Sequence, residues 1–201
     1  MNFKKYIFTT KISTVNRMSL NIELAKQFKR LNAGLVLDVG SKKSPYRNQI
    51  PATKYLRLDI DPKSNPDICG DIHAIPMEDN YFDTVIASEV LEHVQEPRKA
   101  VSEMHRILKP GGVCILSTRF IMPYHPDPQD YYRFSWDALR DLFKNFSQVE
   151  VHHHDNRLQC IWFFMTLSWA RVILNIFNPI IARIHFMNTR CPLGFVVYAK
   201  K

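Results

Sequence analysis

Four acidic side chains stand where short apolar runs of this 201-residue sequence turn polar. Asp38 lies inside the run that ends at Gly40, Asp59 ends the next run, and Asp71 and Glu89 follow two later ones. If the runs are parallel strands of one sheet, their carboxyl ends open onto a shared ligand crevice. A buried carboxylate is costly unless it is paired or hydrogen-bonded, so the pattern favours a ligand that offers hydrogen-bond donors.

Asp59 has the spacing of a residue that binds a ribose. It follows the turn at Gly40 by about twenty residues, where an α/β nucleotide-binding fold places a carboxylate on the ribose hydroxyls. One carboxylate accepts both donors of a vicinal diol, and Asp71 could accept a bond from an exocyclic amine such as that of adenine. The alternative is that Asp59, Asp61 and Asp71 are ordinary turn residues.

Segments typical of strands and helices alternate along the chain and predict the fold. Apolar residues recur at helical spacing over 20–31 and again after Pro97, and Ser135 is a candidate cap for a further helix. Short apolar runs predict strands at 35–39, 55–60, 83–88, 113–117, 147–154 and 194–199. This order predicts an α/β fold with a mostly parallel sheet and right-handed crossovers.

The segment 158–186 breaks the alternation because it is rich in Trp, Phe, Ile and Leu. Its longest run without a charge, 158–170, is shorter than the ~20 apolar residues that a membrane-spanning helix needs. Arg171 and Arg183 interrupt the remainder. We therefore expect one or two apolar helices that pack on the body of the protein or on a partner, or lie at a membrane surface.

The positive charge of the chain is concentrated at its two ends. Residues 1–30 contain seven Lys and Arg against Glu23 alone, and residues 156–201 contain six and no acidic residue. Because the net charge of the whole chain is +8, the middle of the chain, 31–155, carries a net charge of −4. Basic ends indicate an anionic surface, either membrane or nucleic acid, although a merely solvated surface explains them equally well. We expect no nucleic-acid substrate, because the predicted ligand face belongs to the acidic middle of the chain.

The cysteines and the N-terminus bear on the compartment. The four cysteines form no close pair, and the apolar stretch after Lys5 is too short for a signal peptide. We therefore expect a cytoplasmic protein, with attachment to the inner face of the membrane as the alternative that the basic ends and the apolar segment suggest.

Six short motifs occur in order along the chain. They are Asp38-Val39-Gly40, Leu58-Asp59-Ile60, Gly-Asp-Ile-x-x-Ile-Pro at 70–76, Phe-Asp-x-Val at 82–85, Ser-Glu-Val-Leu-Glu-His-Val at 88–94 and Leu-Lys-Pro-Gly-Gly at 108–112. Together they resemble the class I S-adenosylmethionine-dependent methyltransferases of the type 11-like group. The segment 125–134 is similar to that of a subgroup often encoded among cell-surface polysaccharide genes.

The resemblance, which covers 34–155 and the last strand, implies a particular architecture. It predicts a Rossmann-like class I methyltransferase sheet, mostly parallel with an antiparallel C-terminal strand, and helices on both faces. The apolar helical insertion 158–186 would precede the last strand. The chain divides accordingly into an N-terminal basic segment and helix, 1–33, and a methyltransferase domain, 34–201.

The resemblance also implies that S-adenosylmethionine is the cofactor. Asp38 would organise the amino end of its methionine part, Asp59 would hold the ribose, and Asp71 would read the adenine. The full set implied in cofactor binding is Asp38, Gly40, Ser41, Asp59, Ile60, Asp71, Ile72, Ser88 and Glu89. One departure is the turn after Gly40, where the family usually carries two or three glycines and this chain has Ser and Lys.

Methyl transfer is an in-line displacement that mainly requires positioning, but a hydroxyl acceptor also needs a base. We expect O-methylation of a small-molecule, sugar or lipid-linked acceptor. His125 is the first candidate base, because an unperturbed pKa of about 6.5 suits proton abstraction near neutrality, and Asp130 is the second. Alternatively, both residues hold their own loop, 119–133, in place through hydrogen bonds. Tyr131, Tyr132 and Arg133 either bind the acceptor or lock the loop by stacking.

Metal sites and other functional classes are the alternatives to this assignment. His125, Asp127 and Asp130 could bind a divalent cation, but two intervening prolines favour a site without metal. The histidines at 152–154 would alternate between the faces of a strand, so we expect no metal there. The alternative functions are a non-catalytic membrane-peripheral protein of the same fold and a nicotinamide-dependent oxidoreductase, which should show a fuller glycine-rich turn.

Overall fold

The computed structural model describes residues 14–40, 42–126, 128–165, 174–184 and 191–201. Its strands are β1 (Gly34–Val39), β2 (Ala52–Asp59), β3 (Ile68–Cys69), β4 (Phe82–Ser88), β5 (Leu108–Arg119), β6 (Gln148–His153) and β7 (Gly194–Lys200). They form one sheet in the order β3-β2-β1-β4-β5-β7-β6. The pairs among β1 to β5 are parallel, and β7 is antiparallel to β5 and β6. The predicted mostly parallel α/β sheet with an antiparallel last strand is confirmed.

Helices cover both faces of this sheet, as predicted. They are α1 (Val15–Phe28), α2 (Pro97–Ile107), α3 (Trp136–Leu142), α4 (Arg157–Met165) and α5 (Asn178–Ile181). The apolar residues of α1 join Val36 and Ile115 in one buried cluster, whereas those of α2 and α3 join Leu37 and Val85 in another. Neighbouring residues of a strand point to opposite faces, so the successive apolar residues of β1 pack against the helices on both sides of the sheet.

The strand order determines where the candidate site lies. Because β1 to β5 run in the same direction, the residues that follow β3, β2, β1, β4 and β5 emerge side by side along one edge. Strand β6 also runs parallel to β5, since β7 is antiparallel to both. The carboxyl ends of six strands therefore meet at this edge, where ligands bind in open α/β sheets.

The described part of the segment 158–186 contains helices that hold one another. The indole of Trp162 on α4 donates to Asn178 Oδ1 at 2.9 Å, and the Gln159 amide donates to the Ile181 carbonyl at 3.0 Å. Cys160 and Phe163 pack with Val15, at the start of α1. The expected apolar helical insertion is therefore seen in the described residues, and the division of the chain at 33/34 stays a prediction. No helix in the described ranges is long and apolar enough to cross a membrane.

Candidate functional site

The turn after β1 depends on a glycine and two strained residues. Gly40 has a φ of 66°, and a Cβ there would lie 2.8 Å from Cγ2 of Val90. Lys42 and Ser44 also have positive φ values, 43° and 45°, a conformation that costs roughly 1–3 kcal/mol in a non-glycine residue. The loop thus reaches left-handed geometry without the expected glycines. Its predicted ligand contact Ser41 lies outside the described residues.

Asp38 is buried in β1 and hydrogen-bonded within the protein. Its exposed fraction is 1%, and the hydroxyl of Tyr55 on β2 donates to its Oδ2 at 2.6 Å. Burial, followed by the negative charge of Asp38, raises the pKa of Tyr55, so the phenol keeps its proton. The pair joins the first two strands beside the turn at Gly40.

Asp59 carries a buried oxygen that has no hydrogen-bond partner among the described residues. The residue is 6% exposed, its Oδ1 accepts from the Asp61 N–H at 2.9 Å, and its Oδ2 is unpartnered. Leaving a buried polar group unpaired costs about 1–3 kcal/mol. The neighbouring Ile60 is 69% exposed, so the surface beside this carboxylate is open. A ligand hydroxyl would satisfy the free oxygen.

Asp71, which follows β3, is oriented by a neighbouring histidine. Its Oδ1 accepts from the His73 N–H at 2.9 Å and lies 2.6 Å from His73 Nδ1. The bond from the His73 backbone lowers the pKa of the Asp71 carboxyl, so the group is ionised at neutral pH. The adjacent Ile72 is buried and packs in the core.

The ends of β4 and β5 are joined by hydroxyl groups. Ser88 Oγ lies 3.0 Å from Ser117 Oγ, and the Glu89 N–H donates to the Ser117 carbonyl at 2.9 Å. The Glu89 carboxylate accepts from the Ser117 hydroxyl at 3.2 Å and lies 2.5 Å from Nε of Arg119. Glu89 is therefore held as the partner of an arginine that the sequence analysis did not single out.

Glu92 is a second buried carboxylate beside Arg119. Its Oε1 lies 3.5 Å from Arg119 Nε, and its Oε2 accepts from the Thr118 hydroxyl at 2.9 Å. Burial, followed by the charge of Glu89, raises the pKa of Glu92 to about 7. Two buried carboxylates share one guanidinium here, so a proton on Glu92 relieves their repulsion.

The loop between β5 and α3 is locked by Arg133. A guanidinium has five N–H groups, and the structure gives each of them an acceptor. Two groups form a bidentate ion pair with Asp130 at 2.5 Å, and the others donate to the carbonyls of Met122, Pro123 and Tyr132. The hydrogen bonds from Arg133 lower the pKa of Asp130 to about 2, which makes it a weak base.

Tyr131 and Tyr132 dock the same loop onto the residues that follow β4. Their N–H groups donate to the Glu92 carbonyl at 2.9 and 3.2 Å. The Tyr131 hydroxyl accepts from the Gln95 amide at 2.7 Å, and the Tyr132 hydroxyl donates to the Gln95 carbonyl at 3.0 Å. The polar ends of both side chains are thus used within the protein, whereas the residues remain 42% and 39% exposed.

Two histidine rings meet beside this loop. The ring of His125 lies edge-on to that of His93, with centroids 5.7 Å apart. The backbone N–H of His125 donates to Oδ2 of Asp130 at 2.8 Å. His93 Nδ1 donates to the Gln129 carbonyl at 2.7 Å. Among the described residues, which do not include Asp127, no group of three or more His, Cys, Asp and Glu side chains could hold a metal ion.

The structure brings the described site residues to one edge of the sheet. The order along this edge is Asp71, Asp59, Gly40 and Glu89, followed by the loop that contains His125. Sequence reasoning missed the roles of Glu92, His93 and Arg119. Glu92 and His93 lie in the motif 88–94, and Arg119 ends β5. The sequence therefore indicated that these residues lie near the site, but it did not indicate which side chains they contact.

Comparisons with known proteins identify similar domains and folds. Residues 37–116 match a family described as "Methyltransferase domain". A demethylmenaquinone methyltransferase of Renibacterium salmoninarum is 43% identical over 63 residues, covering 30% of this chain and 27% of that protein. One of Staphylococcus haemolyticus is 31% identical over 111 residues, covering 54% and 40%. The match thus spans less than half the length of each relative.

A solved structure extends the similarity to the whole fold. A SAM-dependent methyltransferase from Archaeoglobus fulgidus superposes over 100% of both chains with a TM-score of 0.62 and 14% identity. An identity this low shows the fold alone. Residues 37–116 therefore match a methyltransferase domain, and the fold of the chain is similar to that of a SAM-dependent methyltransferase.

Proposed function

We propose that this protein transfers a methyl group from S-adenosylmethionine to a hydroxyl of a small-molecule, sugar or lipid-linked acceptor. The observation that carries the proposal is the unpartnered Asp59 Oδ2, which is buried at the carboxyl end of β2. A ribose diol supplies the donor that this oxygen lacks. An unused buried carboxylate oxygen is hard to explain by folding alone, because burial without a partner is destabilising.

The neighbouring residues fit the other parts of the same cofactor. Asp71 and Ile72 would hold the adenine, the Gly40 backbone would approach the methionine part, and Asp38 would organise its amino end. Ile60, Ser88 and Glu89 complete the proposed contacts, together with Ser41, which lies outside the described residues. When bound, the sulfonium cofactor supplies an electrophilic methyl group, so the protein has to position the acceptor in line with it.

We propose His125 as the base that takes the proton of the acceptor hydroxyl. Its exposed ring beside His93 is accessible to an acceptor. Asp130 suits this task less well because its pKa is about 2, and its ion pair supports the alternative role of loop anchor. The partly exposed rings of Tyr131 and Tyr132 would contact a sugar, whereas the fully used donors of Arg133 favour a locking role.

Calorimetric titration with S-adenosylhomocysteine, S-adenosylmethionine and NAD tests the proposal. We expect the wild-type protein to bind both sulfur ligands and not NAD. Asp59→Asn should weaken S-adenosylhomocysteine binding at least about tenfold, because the amide presents a donor to the ribose diol. Asp61→Asn is the matched control, since Asn retains an oxygen to accept from the Lys63 N–H. Failure of the wild-type protein to bind either sulfur ligand would refute the proposal.

We also propose that the insertion brings the protein to the cytoplasmic face of an anionic membrane, where it meets a lipid-linked acceptor. The insertion exposes large apolar residues on α4 and α5 and on the turn before α5: Ile161, Phe164, Met165, Ile176, Phe177 and Ile180. Residues 156–201 contain no acidic side chain. Each basic residue near an anionic leaflet contributes ~1 kcal/mol to membrane binding. The positive charge and the exposed apolar side chains therefore both favour binding to an anionic membrane.

The names of the relatives are compatible with this acceptor class but do not define it. The two relatives described above are named for demethylmenaquinone. We extend the proposal to acceptors of cell-surface polysaccharide biosynthesis on the similarity of 125–134 to that subgroup. A methyl-transfer screen against quinol, sugar and lipid-linked sugar acceptors separates these possibilities, and incorporation into none of them would contradict the proposed acceptor class.

Flotation with phosphatidylcholine–phosphatidylglycerol vesicles tests the membrane proposal. We expect binding at low salt that weakens at high salt. Replacing Phe164, Ile176 and Ile180 with Asn should abolish flotation, whereas Tyr124→Asn, at an exposed residue outside the insertion, should not. Absence of binding at low salt would contradict this proposal. Flotation by a protein that does not bind S-adenosylhomocysteine would instead favour a non-catalytic membrane-peripheral role.

A further inference from the structure

We propose that His73 sets the selectivity of the site for a 6-amino purine by fixing the orientation of the Asp71 carboxylate. The inference rests on the proposed function, in which Asp71 reads the adenine of the cofactor. His73 is then a positioning residue that acts through Asp71 and does not itself touch the ligand.

Both hydrogen bonds from His73 go to the same oxygen of Asp71. The backbone N–H donates to Oδ1 at 2.9 Å, and ring Nδ1 lies 2.6 Å from that atom. A carboxylate only accepts, so Nδ1 carries the proton. The other ring nitrogen, Nε2, accepts from the Glu96 N–H at 3.2 Å. The two partners thus select one neutral tautomer of the imidazole.

This arrangement leaves Asp71 Oδ2 without a hydrogen-bond partner in the part of the chain that the structure describes. The Asp71 side chain is 49% exposed, and a carboxylate oxygen held in this position can only accept. It pairs with the 6-amino group of adenine, which donates, and is repelled by the 6-oxo group of hypoxanthine, which accepts. A site built to hydrogen-bond one group strongly rejects an analogue that lacks it.

The contact with Glu96 ties the adenine side of the site to the helix beside it. Glu96 precedes α2, and its side chain makes no capping bond to the helix. The imidazole therefore occupies one of the N-terminal N–H groups that a helix leaves unpaired. Since Glu96 and His73 belong to different segments, the position of the ring is set from outside the Asp71 turn.

The turn has other supports, so the histidine can be replaced without dismantling it. The Ile75 N–H donates to Glu103 at 2.9 Å, and the Ile75 carbonyl accepts from Arg106 at 2.9 Å. The Ala74 N–H donates to the Asp71 carbonyl at 3.0 Å. We therefore expect His73 variants to fold, which a thermal melt would verify before binding is measured.

The test compares S-adenosylhomocysteine with S-inosylhomocysteine, which differ at the 6-position of the purine. By calorimetry, the full-length wild-type chain should prefer the adenine ligand. His73→Ala should reduce the ratio of the two affinities by about tenfold, because Asp71 keeps only the backbone bond and can turn. His73→Asn, whose amide can donate to Asp71 in place of Nδ1, should restore part of the ratio.

A second comparison isolates the orienting effect. Asp71→Asn should shift the preference towards S-inosylhomocysteine, because the two donors of His73 hold the amide oxygen and leave the NH2 to meet the 6-oxo group. In the double variant with His73→Ala, the amide can flip and this shift should be lost. Lys99→Gln is the electrostatic control, since Lys99 acts on Asp71 through charge alone and should change both affinities equally.

The outcomes separate this inference from the proposed function. If wild-type protein binds S-adenosylhomocysteine but His73→Ala leaves the affinity ratio unchanged, the role of His73 is refuted and the methyltransferase function stands. A parallel loss of both affinities would also refute it, because that result indicates a merely structural residue. If wild-type protein binds neither ligand, the proposed function fails first.

Discussion

Oε1 of Glu92 lies 3.5 Å from Nε of Arg119, in a site where the glutamate side chain is only 2% exposed. The guanidinium also serves Glu89, so the positive charge does not fully compensate either carboxylate. This pair connects the motif after β4 to the end of β5, and it lies beside the proposed position of the methyl donor. The ionisation of Glu92 therefore affects both the stability of the protein and the charge beside the proposed methyl-donor position.

The first prediction concerns the pH dependence of folding. The pKa of Glu92 is raised from an ordinary value of 4.5 to about 7, so between these values the folded state holds more protons at this site than the unfolded state. Stability from this group is present below pH 4.5 and is lost as the pH rises through 7. Glu92→Gln should remove that loss, which amounts to at most about 3 kcal/mol.

Urea unfolding at pH 5 and pH 8 measures this effect. The difference in unfolding free energy between Glu92→Gln and wild type should increase in favour of the variant at the higher pH. Glu78→Gln, at an exposed position, is the control. An equal difference at both pH values would show that Glu92 is ionised throughout.

The second prediction concerns the turn after β1. Gly40→Ala should destabilise the protein by about 1–2 kcal/mol through its left-handed backbone alone, and the added Cβ would also meet Val90. S-adenosylhomocysteine affinity should fall because the loop shifts. Val90→Ala in the same chain should recover only the steric part of the stability loss, as judged by urea unfolding. Full recovery would mean that the positive φ carries no strain.

The third prediction concerns the loop that follows β5. Arg133→Lys keeps the charge but supplies three N–H groups in place of five, so it cannot satisfy all the acceptors. We expect faster proteolysis within 120–134. The melting temperature of the protein should change little, because Arg133 makes its hydrogen bonds within this loop. Lys144→Arg, at a position just beyond the end of α3 where the side chain is 62% exposed, serves as the comparison. Unchanged cleavage would show that Arg133 does not lock the loop.

The fourth prediction concerns the proton acceptor. With an acceptor identified by the screen, His125→Gln should lower the rate of methyl transfer by roughly 10²–10⁴ while leaving S-adenosylhomocysteine binding intact. The acidic limb of the pH–rate profile should disappear as well. His93→Gln is the comparator, because its ring lies next to that of His125. If only His93→Gln removes the limb, the base is His93.

Much of the architecture was readable in the sequence. Apolar runs that end in polar residues, such as 35–39, predict buried parallel strands, and the helical spacing of Leu20, Leu24 and Phe28 indicates which helical side chains enter the core. These patterns are local, so they survive without knowledge of the fold. The same logic located Asp59 and Asp71 after strands, where a ligand crevice opens.

The pairings inside the site required the tertiary structure. Glu92 and Arg119 are far apart in the chain, and no periodicity indicates that one guanidinium would lie between two carboxylates. The sequence alone allowed Arg133 to bind an acceptor, yet packing uses all its donors within the loop.

Sequence by itself therefore determined the main strands, the buried faces of the helices and the chain positions of the candidate ligand-binding residues. The reason is that buried strands and helices show characteristic patterns of apolar residues in the sequence. Only the tertiary structure decided which oxygen of Asp59 stays unpaired and which nitrogen of His73 is protonated. Hydrogen bonds depend on distances of a few ångströms between atoms, and those distances are set by packing across the whole sheet.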